Sequence, residues 1–333
     1  MTRTRNVTSA DVAREAGVSR ATVSYALNGT ADLLPDTRRK VFEAAARLGY
    51  APSAAARILR RGRSDLIVLV LPDWPVGYAA GRTIDLLSKG FAESGHPMVT
   101  YQMNASIPDQ WTRLWNTLTP AAVVAVSMFD PDEQAAMTAA GIHTLHYLYP
   151  ELAQGARTDR EGAFTVGRRQ VEYLRSAGHT QIGYAGSAEQ RLSWLSNLRL
   201  EGVRRACAEF GLEPPVVHPV GTDVAAATAA VRAWADAHPS VSAVAAYNDD
   251  VAMALIAGAR GAGVEIPDQL AVIGVDNIPA GRLVDPPLTT VNISMEAMAS
   301  DLIHRTLVEL CEDTAAPAHG EREPLKVIVR RSA

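Results

Sequence analysis

The sequence predicts an α/β protein in which a small headpiece of three helices, containing a helix-turn-helix, precedes a body of doubly wound parallel sheets. Two observations predict this class. Apolar residues recur at helical spacing across residues 8–50, and from Asp65 onward short β-rich segments alternate with helical ones. A chain of 333 residues is also long enough for two or three domains.

Helix-ending residues divide the headpiece into three segments. Thr8 and Asp11 form a capping pair at the start of a first helix, and Gly17 supplies the positive φ that a tight turn needs. Ser19 is placed to cap a second helix, and Pro35 predicts the first turn of a third. Two helices joined by a turn of about 3–4 residues are the signature of a helix-turn-helix.

Residues 52–63 form a linker rich in alanine and arginine, with one strongly apolar pair, Ile58 and Leu59. An isolated helix of this length is marginal in water. We expect the linker to become ordered only when something holds it.

The body contains seven β-rich segments. Strands that alternate with helices indicate parallel sheets, and seven strands exceed one small sheet. Two Rossmann-like lobes with a cleft between them fit this number, and ligands of such sheets lie beyond the carboxyl ends of the strands. The predicted strands are 66–71, 98–101, 122–126, 143–147, 181–185, 242–246 and 271–275.

The charge is distributed unevenly along the chain. Residues 1–63 carry a net charge of +7 and the remainder a net charge of −11. This distribution indicates a polyanionic partner for the headpiece alone; the alternative is a basic surface that is merely solvated.

The cysteines and the N-terminal segment bear on the compartment. The chain has two cysteines, Cys207 and Cys311, and neither has metal-ligand spacing around it. So few cysteines argue against a disulfide framework and favour a reducing compartment. Charged residues interrupt any apolar run near the N-terminus, and runs such as 121–129 are too short to span a bilayer. We therefore expect a cytoplasmic protein without a membrane partner.

The second helix carries side chains suited to reading DNA. In a helix-turn-helix the first residues of this helix meet base edges in the major groove. Arg20, Ala21 and Tyr25 suit guanine, a thymine methyl group and a single hydrogen bond, respectively. The alternative is a plain three-helix bundle with a solvated face. Short polar residues that suit phosphates are Ser19, Thr22, Ser24 and Asn28, and Thr8 is a further candidate contact.

Several segments resemble the Lac repressor/Gal repressor family, and together they cover essentially the whole chain. The resemblance implies a helix-turn-helix headpiece and a two-lobed body like that of periplasmic binding proteins. It also implies a homodimer that binds a pseudo-palindromic operator and responds to a small-molecule effector. The segments are DVAREAGVS (11–19), ATVS (21–24), LN (27–28), RLGY (47–50), the hinge at 52–59, YND (247–249), GVDN (274–277) and DPPLTTV (285–291).

The resemblance implies that the linker folds into a hinge helix in the minor groove of the operator. Leu59 matches the leucine that wedges between base pairs, and Ala56 matches the residue that faces the groove floor. Arg57 can neutralise nearby phosphates. The alternative for Leu59 is a linker leucine that packs on the body.

The body offers candidates for a ligand pocket and none for an active site. We find no dinucleotide or phosphate-binding loop, no zinc-protease motif and no nucleophile elbow, so the sequence predicts neither an enzyme nor a cofactor or metal. Aromatic rings beside a few polar groups suit a small polar ligand such as a sugar. The candidates, at or after strand ends, are Asp73, Trp74, Tyr78, Tyr147, Trp194, Arg199, Asn248 and Asp276.

Three of these candidates also match effector contacts that the resemblance implies. Arg199 matches the arginine that clasps the effector, Asp276 the effector-binding aspartate and Asn248 a polar contact. Asp276 and Asn248 have an alternative role as backbone caps at strand ends. Trp194 has an alternative role as a core residue.

The chain departs from the family pattern at three places. Tyr25 stands where many members carry arginine, so the operator half-site need not follow the common one. Leu34 replaces a Ser or Thr cap before Pro35, which costs the third helix about 1 kcal/mol. The loop 74–78 reads WPVGY, so the effector contacts of that loop cannot be carried over.

The domain boundaries and two rival functions complete the prediction. A transporter's solute-binding receptor would share the body but would not need residues 1–63, and an enzyme would need a nucleotide fingerprint or a paired acid and base.

The predicted domains are a headpiece (1–51), a hinge (52–63) and an effector-binding and dimerisation body (64–333), with one lobe at about 64–157 and 290–320 and the other at about 158–289 and 321–333.

Overall fold

A computed structural model describes residues 7–28, 33–50, 63–104, 107, 110–126, 129–146, 160–310 and 325–333. The chain separates into two compact units, Met1–Ser64 and Asp65–Ala333. Each unit, the headpiece and the body, has its own buried apolar core.

The headpiece contains three α-helices around a small core. Val12, Val23, Val41 and Ala44 are fully buried, one or two from each helix, and they recur at the helical spacing that the sequence shows. Gly17 ends the first helix with φ 66°, the left-handed conformation that glycine adopts without strain. The helices are α1 (Ser9–Ala16), α2 (Arg20–Asn28) and α3 (Pro35–Leu48).

The helix caps in the headpiece agree with the sequence. The backbone N–H of Thr8 donates to Asp11 Oδ2 at 3.0 Å, and its hydroxyl donates to the same oxygen at 2.7 Å. The N–H of Thr22 donates to Ser19 Oγ at 3.0 Å, which caps α2. No side-chain cap accompanies Leu34 at the start of α3, as its apolar side chain requires.

The body begins with a four-stranded sheet in which every strand is parallel to its neighbour. The strand order is β2-β1-β3-β4, and the interior strands β1 and β3 are wholly buried, as apolar runs covered on both faces must be. The strands are β1 (Ile67–Leu71), β2 (Met98–Gln102), β3 (Ala122–Ala125) and β4 (His143–His146), and the helices between them are α4 (Tyr78–Glu93), α5 (Gln110–Leu118) and α6 (Pro131–Ala139).

A six-stranded sheet follows, with the strand order β10-β9-β8-β7-β5-β6. Its strands are parallel except β10, which pairs antiparallel with β9 at the edge. The strands are β5 (Ile182–Ser187), β6 (Val216–Val220), β7 (Ala243–Ala246), β8 (Ala271–Val275), β9 (Thr289–Asn292) and β10 (Lys326–Ile328). The helices are α7 (Arg160–Ser176), α8 (Ser193–Glu209), α9 (Val224–Ala237), α10 (Asp249–Ala262) and α11 (Met295–Leu310).

The last helix, α11, packs against the first sheet although it follows a strand of the second. Its buried residues Ala299 and Leu302 lie in one apolar cluster with Leu87 and Phe91 of α4. The chain then returns to the second sheet through β10. The two sheets of the body are therefore joined by several passages of the chain, which is the arrangement of a two-lobed protein with a cleft.

All seven predicted strands are present, and their ends agree with the prediction to within two residues at every described position. The sequence analysis missed β6, β9 and β10. The edge strand β6 contains Pro219 and alternates partly buried with exposed residues before the buried Val220, and β10 has only three residues. No described helix is long and apolar enough to cross a membrane.

Candidate functional site

The two sheets of the body each reverse their strand order at one point. The reversal lies between β1 and β3 in the first sheet and between β5 and β7 in the second. Ligands of doubly wound sheets bind outside the carboxyl ends of the strands at such a point. Residues 73–77 after β1, the short 3-10 helix Gln190–Leu192 after β5 and the start of α10 after β7 therefore mark the candidate site.

Arg199 is a buried cation at the centre of this region. It lies on α8, and its side chain is only 7% exposed. One guanidinium nitrogen donates to the carbonyl of Tyr247, and Nη2 lies 3.4 Å from Asp276 Oδ1. The guanidinium carbon also stands 4.9 Å from the centre of the Tyr247 ring. These contacts fix the arginine at the carboxyl ends of β7 and β8, because a buried charge is stable only when it is paired.

Asp276 follows β8 in an unusual backbone conformation. It has φ 105°, and Asn277 beside it has φ 55°. Residues other than glycine rarely adopt such backbone angles, and contacts with the surrounding structure must stabilise them. The hydroxyl of Thr290 accepts from the N–H of Asn277 at 3.3 Å, and Arg330 Nη2 donates to Asn277 Oδ1 at 2.7 Å. In this conformation the Asp276 carboxylate lies against Arg199.

The pKa of Asp276 is raised mainly because burial disfavours its charged form. The Arg199 guanidinium opposes this shift, and the nearby carboxylate of Asp250 adds to it. Arg199 and Asp276, which the sequence analysis predicted as separate site residues, thus form one buried pair.

Asn248 caps α10. Its Oδ1 accepts from the N–H of Val251 at 3.0 Å, which is the backbone-capping role that the sequence analysis kept as the alternative. Its Nδ2 points towards Asp250 Oδ2 at 3.5 Å. A role in ligand contact therefore rests with the amide nitrogen of Asn248.

The loop after β1 contacts the second sheet's side of the cleft through two side chains. Arg191 Nη1 lies 3.1 Å from Asp73 Oδ1, and the same arginine is bound by Glu189 at 2.9 Å. The rings of Trp74 and Trp194 stack with their centres 6.3 Å apart and their planes at 26°. Trp194 is 39% exposed, which favours a surface role over the alternative of a core residue.

Tyr78 is the first residue of α4 and is half exposed. It lies immediately after the loop that carries Trp74. Tyr147 falls outside the described residues. Of the eight candidates in the body, the structure thus brings two pairs into contact, Arg199 with Asp276 and Trp74 with Trp194. Asp73 contacts Arg191, which was not a candidate.

Asp249 lies in the candidate site, although the sequence analysis did not single it out. It is 1% exposed, accepts from the Thr290 hydroxyl at 2.6 Å and from the N–H of Ile278 at 2.8 Å, and so holds the loop that carries Asp276. Burial raises the pKa of Asp249 to about 7. The sequence signals were its place in the segment YND (247–249), which resembles the family, and an acidic residue in the first turn of a helix. The second signal is also the ordinary preference of helix N-termini.

The exposed side of α2 carries the residues predicted to read bases. Arg20, Ala21 and Tyr25 are exposed, and Tyr25 has 46% of its surface accessible. The hydroxyls of Ser19 and Thr22 lie 2.8 Å apart and take part in the cap of α2.

Other predicted DNA contacts are less accessible or lie outside the description. Ser24 is partly buried, and the Thr8 hydroxyl is bonded to Asp11. Asn28 ends α2, and its side chain is outside the described residues, as are Ala56, Arg57 and Leu59. Within the described ranges, no group of three or more His, Cys, Asp or Glu could hold a metal ion.

Comparisons with known proteins agree with both units. Residues 8–53 match the family described as bacterial regulatory proteins, lacI family, and residues 171–333 match the periplasmic binding protein-like domain. The HTH-type transcriptional regulator GalS of Salmonella typhimurium is 30% identical over 310 residues, which cover 88% of this chain and 87% of GalS. The HTH-type transcriptional regulator CelR of Thermobifida fusca is 28% identical over 95% of this chain and 96% of its own.

Two solved structures share the fold. A complex of the transcriptional regulator CelR with cellobiose superposes with a TM-score of 0.66 at 24% identity and covers 98% of this chain and 100% of that one. The lac repressor dimer bound to operator and the anti-inducer ONPF superposes with a TM-score of 0.76 at 19% identity, covering 98% and 99% of the two chains. With its helix-turn-helix headpiece and two-sheet body, the chain belongs to the LacI family of bacterial transcriptional regulators.

Proposed function

We propose that this protein represses transcription by binding a pseudo-palindromic operator as a homodimer, and that a small polyhydroxylated effector in the cleft of the body controls this binding. The observation that carries the proposal is the Arg199–Asp276 pair at the carboxyl ends of β7 and β8, together with the stacked rings of Trp74 and Trp194. A fixed cation and carboxylate can bind hydroxyl groups while indole faces cover the apolar face of a sugar ring. CelR, which has this fold, binds cellobiose.

The headpiece supplies operator recognition in this proposal. Arg20, Ala21 and Tyr25 face the major groove, and Ser19 and Thr22 contact phosphates through groups that also cap α2. Two headpieces in a dimer match two half-sites about one helical turn apart. Thr8, Ser24 and Asn28 complete the proposed contacts.

The proposed effector site consists of groups at or after the carboxyl ends of strands in both sheets. Asp73, Trp74, Tyr78 and Tyr147 belong to the first sheet's side of the chain. Trp194, Arg199, Asn248 and Asp276 belong to the second. The proposed lobes are about 64–157 with 290–320, and about 158–289 with 321–333.

The effector acts by changing the relative rotation of the lobes, which moves the attachment points of the hinge, residues 52–63. A ligand shifts such an equilibrium only by its differential affinity for the two states, and coupling energies of about 1–3 kcal/mol are typical. Since the operator is chromosomal DNA, the proposal places the protein in the cytoplasm.

A competition gel shift with a thermal-shift screen tests the proposal. The full-length protein should bind a palindrome near its own gene in preference to random duplex, and the binding should weaken steeply with salt because phosphate contacts release counterions. A true effector should raise the melting temperature in a concentration-dependent way and change operator affinity. Equal binding to palindrome and random duplex, with and without metabolites, would reject the proposal.

The same assay separates a solute-binding receptor from a repressor, because a receptor would bind a sugar and ignore duplex DNA. The exposed base-reading face of α2 favours the repressor.

Leu59→Ala should weaken binding to the palindrome by roughly tenfold or more and leave binding to random duplex nearly unchanged. The physical reason is that an apolar wedge opens a base step only at the operator centre, where the bent duplex meets more protein. The ratio of the two dissociation constants measures the effect. Ile58→Ala, beside it in the hinge, is the matched control, and an unchanged ratio for Leu59→Ala would remove the wedge role.

A further inference from the structure

The second residue of α10, Asp250, has few partners for a carboxylate. Asp249 before it is buried and accepts two hydrogen bonds, from Ile278 and Thr290. Asp250 is partly buried, and its contact with a described polar group is the 3.5 Å approach of Asn248 Nδ2. No cation lies within 4.0 Å of it among the described residues, and burial raises the pKa of its carboxyl.

The carboxylate of Asp250 reaches towards the first sheet's side of the cleft. Its Oδ2 lies 3.6 Å from the position that a Cβ atom would take at Gly77, immediately before α4. A second carboxylate, that of Asp276, lies close enough for Asp250 to influence its ionisation. Asp250, in the first turn of α10, therefore faces residues 73–77 across the cleft.

The cations near this region already have partners. Arg199 is paired with Asp276, and Arg191 is shared by Glu189 and Asp73. Asp250 is a further carboxylate, so the described side chains of this region include more carboxylates than cations. A ligand beside Asp250 must supply hydrogen-bond donors, because an anionic group there would meet like charge in a partly desolvated site.

We propose that Asp250 determines effector specificity by accepting a hydrogen bond from a hydroxyl or ammonium group of the ligand and by repelling anionic ligands. This inference rests on the proposed function and deepens it. The effector is then a neutral or amino sugar, and sugar phosphates and sugar acids are excluded. Asp250 acts on the ligand directly, whereas Asp249 holds the loop that carries Asp276.

The test is a thermal-shift and calorimetric titration of the full-length protein with probes that share a carbon skeleton and differ in charge. The series are D-glucose, D-glucosamine, D-glucuronate and D-glucose 6-phosphate; D-galactose, D-galactosamine and D-galacturonate; and cellobiose with cellobionate. At least one neutral or amino sugar should raise the melting temperature, and its acidic or phosphorylated counterpart should bind roughly tenfold more weakly or not at all.

Two variants separate a ligand contact from an effect on the fold. Asp250→Asn keeps the size of the side chain and removes its charge. The variant should lose more affinity for the amino sugar than for the neutral sugar. The ratio between its affinities for the neutral sugar and for the corresponding acid should fall by roughly tenfold. Asp236→Asn removes an exposed charge from α9 in the same unit and should change neither affinity nor preference.

Tighter binding of an acid or phosphate than of its neutral counterpart would overturn the inference, as would an unchanged preference in Asp250→Asn. Binding of no neutral or amino sugar would also overturn it. Operator affinity, measured in the same preparation, decides separately whether the proposed repressor function survives, because Asp250 lies outside the unit that carries the headpiece.

Discussion

Arg199→Ala is expected to abolish the response to effector while the ligand-free protein still binds its operator. The substitution removes a proposed ligand contact and leaves the Asp276 carboxylate, 13% exposed, without its cation. Breaking a buried pair by removing one partner costs about 3–5 kcal/mol. The unfolding transition of the body should therefore shift to lower denaturant, and gel shifts with and without effector should give the same operator affinity.

Two further variants control this prediction. Arg205→Ala lies on the same helix, where its partner Glu201 is 40% exposed, and should cost less than about 1 kcal/mol without changing the response. Arg199→Met combined with Asp276→Asn removes both charges and should recover part of the lost stability without recovering the response. A normal effector response in Arg199→Ala would show that the arginine only stabilises the body.

Local rules explain why the headpiece and most strands could be predicted from sequence. The turn at Gly17 and the caps at Thr8 and Ser19 depend on residues within a few positions of one another, and such signals are contained in the sequence. The strand β9 was missed because its buried threonines, Thr289 and Thr290, are polar by composition. The structure accounts for their burial: Thr289 binds Ser332 and Arg330, and Thr290 binds Asp249.

The candidate site could be predicted only in part for a related reason. Strand ends identify Asn248 and Asp276, because parallel strands bring their carboxyl ends to one edge. The contact of Asp73, in the loop after β1, with Arg191, in the 3-10 helix after β5, joins residues 118 positions apart, and no periodicity predicts it. Likewise, an Asp-Asp pair at a helix start indicates only a favourable helix terminus, and the tertiary structure decides that Asp249 is buried while Asp250 faces the cleft.

The stability of the body should depend on pH through the buried carboxyl of Asp249. Burial raises its pKa from 3.8 to about 7, and the hydrogen bonds from Thr290 and Ile278 only partly oppose this. Asp276 raises the pKa further, and Arg330 lowers it. A carboxyl whose pKa is higher in the folded than in the unfolded state contributes stability at low pH, and that contribution is lost as the pH rises from about 4 to about 7.

Asp249→Asn should therefore gain stability relative to the wild type as the pH rises through this interval, by an amount on the order of 4 kcal/mol. An amide reproduces the protonated carboxyl, because its oxygen can accept from Ile278 while its nitrogen donates to the Thr290 hydroxyl. Urea unfolding of the body at several pH values between 4.5 and 7.5 measures the difference. Asp268→Asn, an exposed carboxyl of the same unit, should give a curve parallel to the wild type.

The predicted direction distinguishes a buried, protonated acid from an ion-paired one. If Arg330 held Asp249 as a carboxylate, the pKa of Asp249 in the folded protein would lie below 3.8. The wild type would then gain stability relative to Asp249→Asn as the pH rose. Parallel curves for the two proteins would mean that the carboxyl does not titrate differently on folding. If the free energy of unfolding of Asp249→Asn rises relative to the wild type with increasing pH, the loop that carries Asp276 is held by a protonated Asp249. A rise in pH would then destabilise this loop at the effector site.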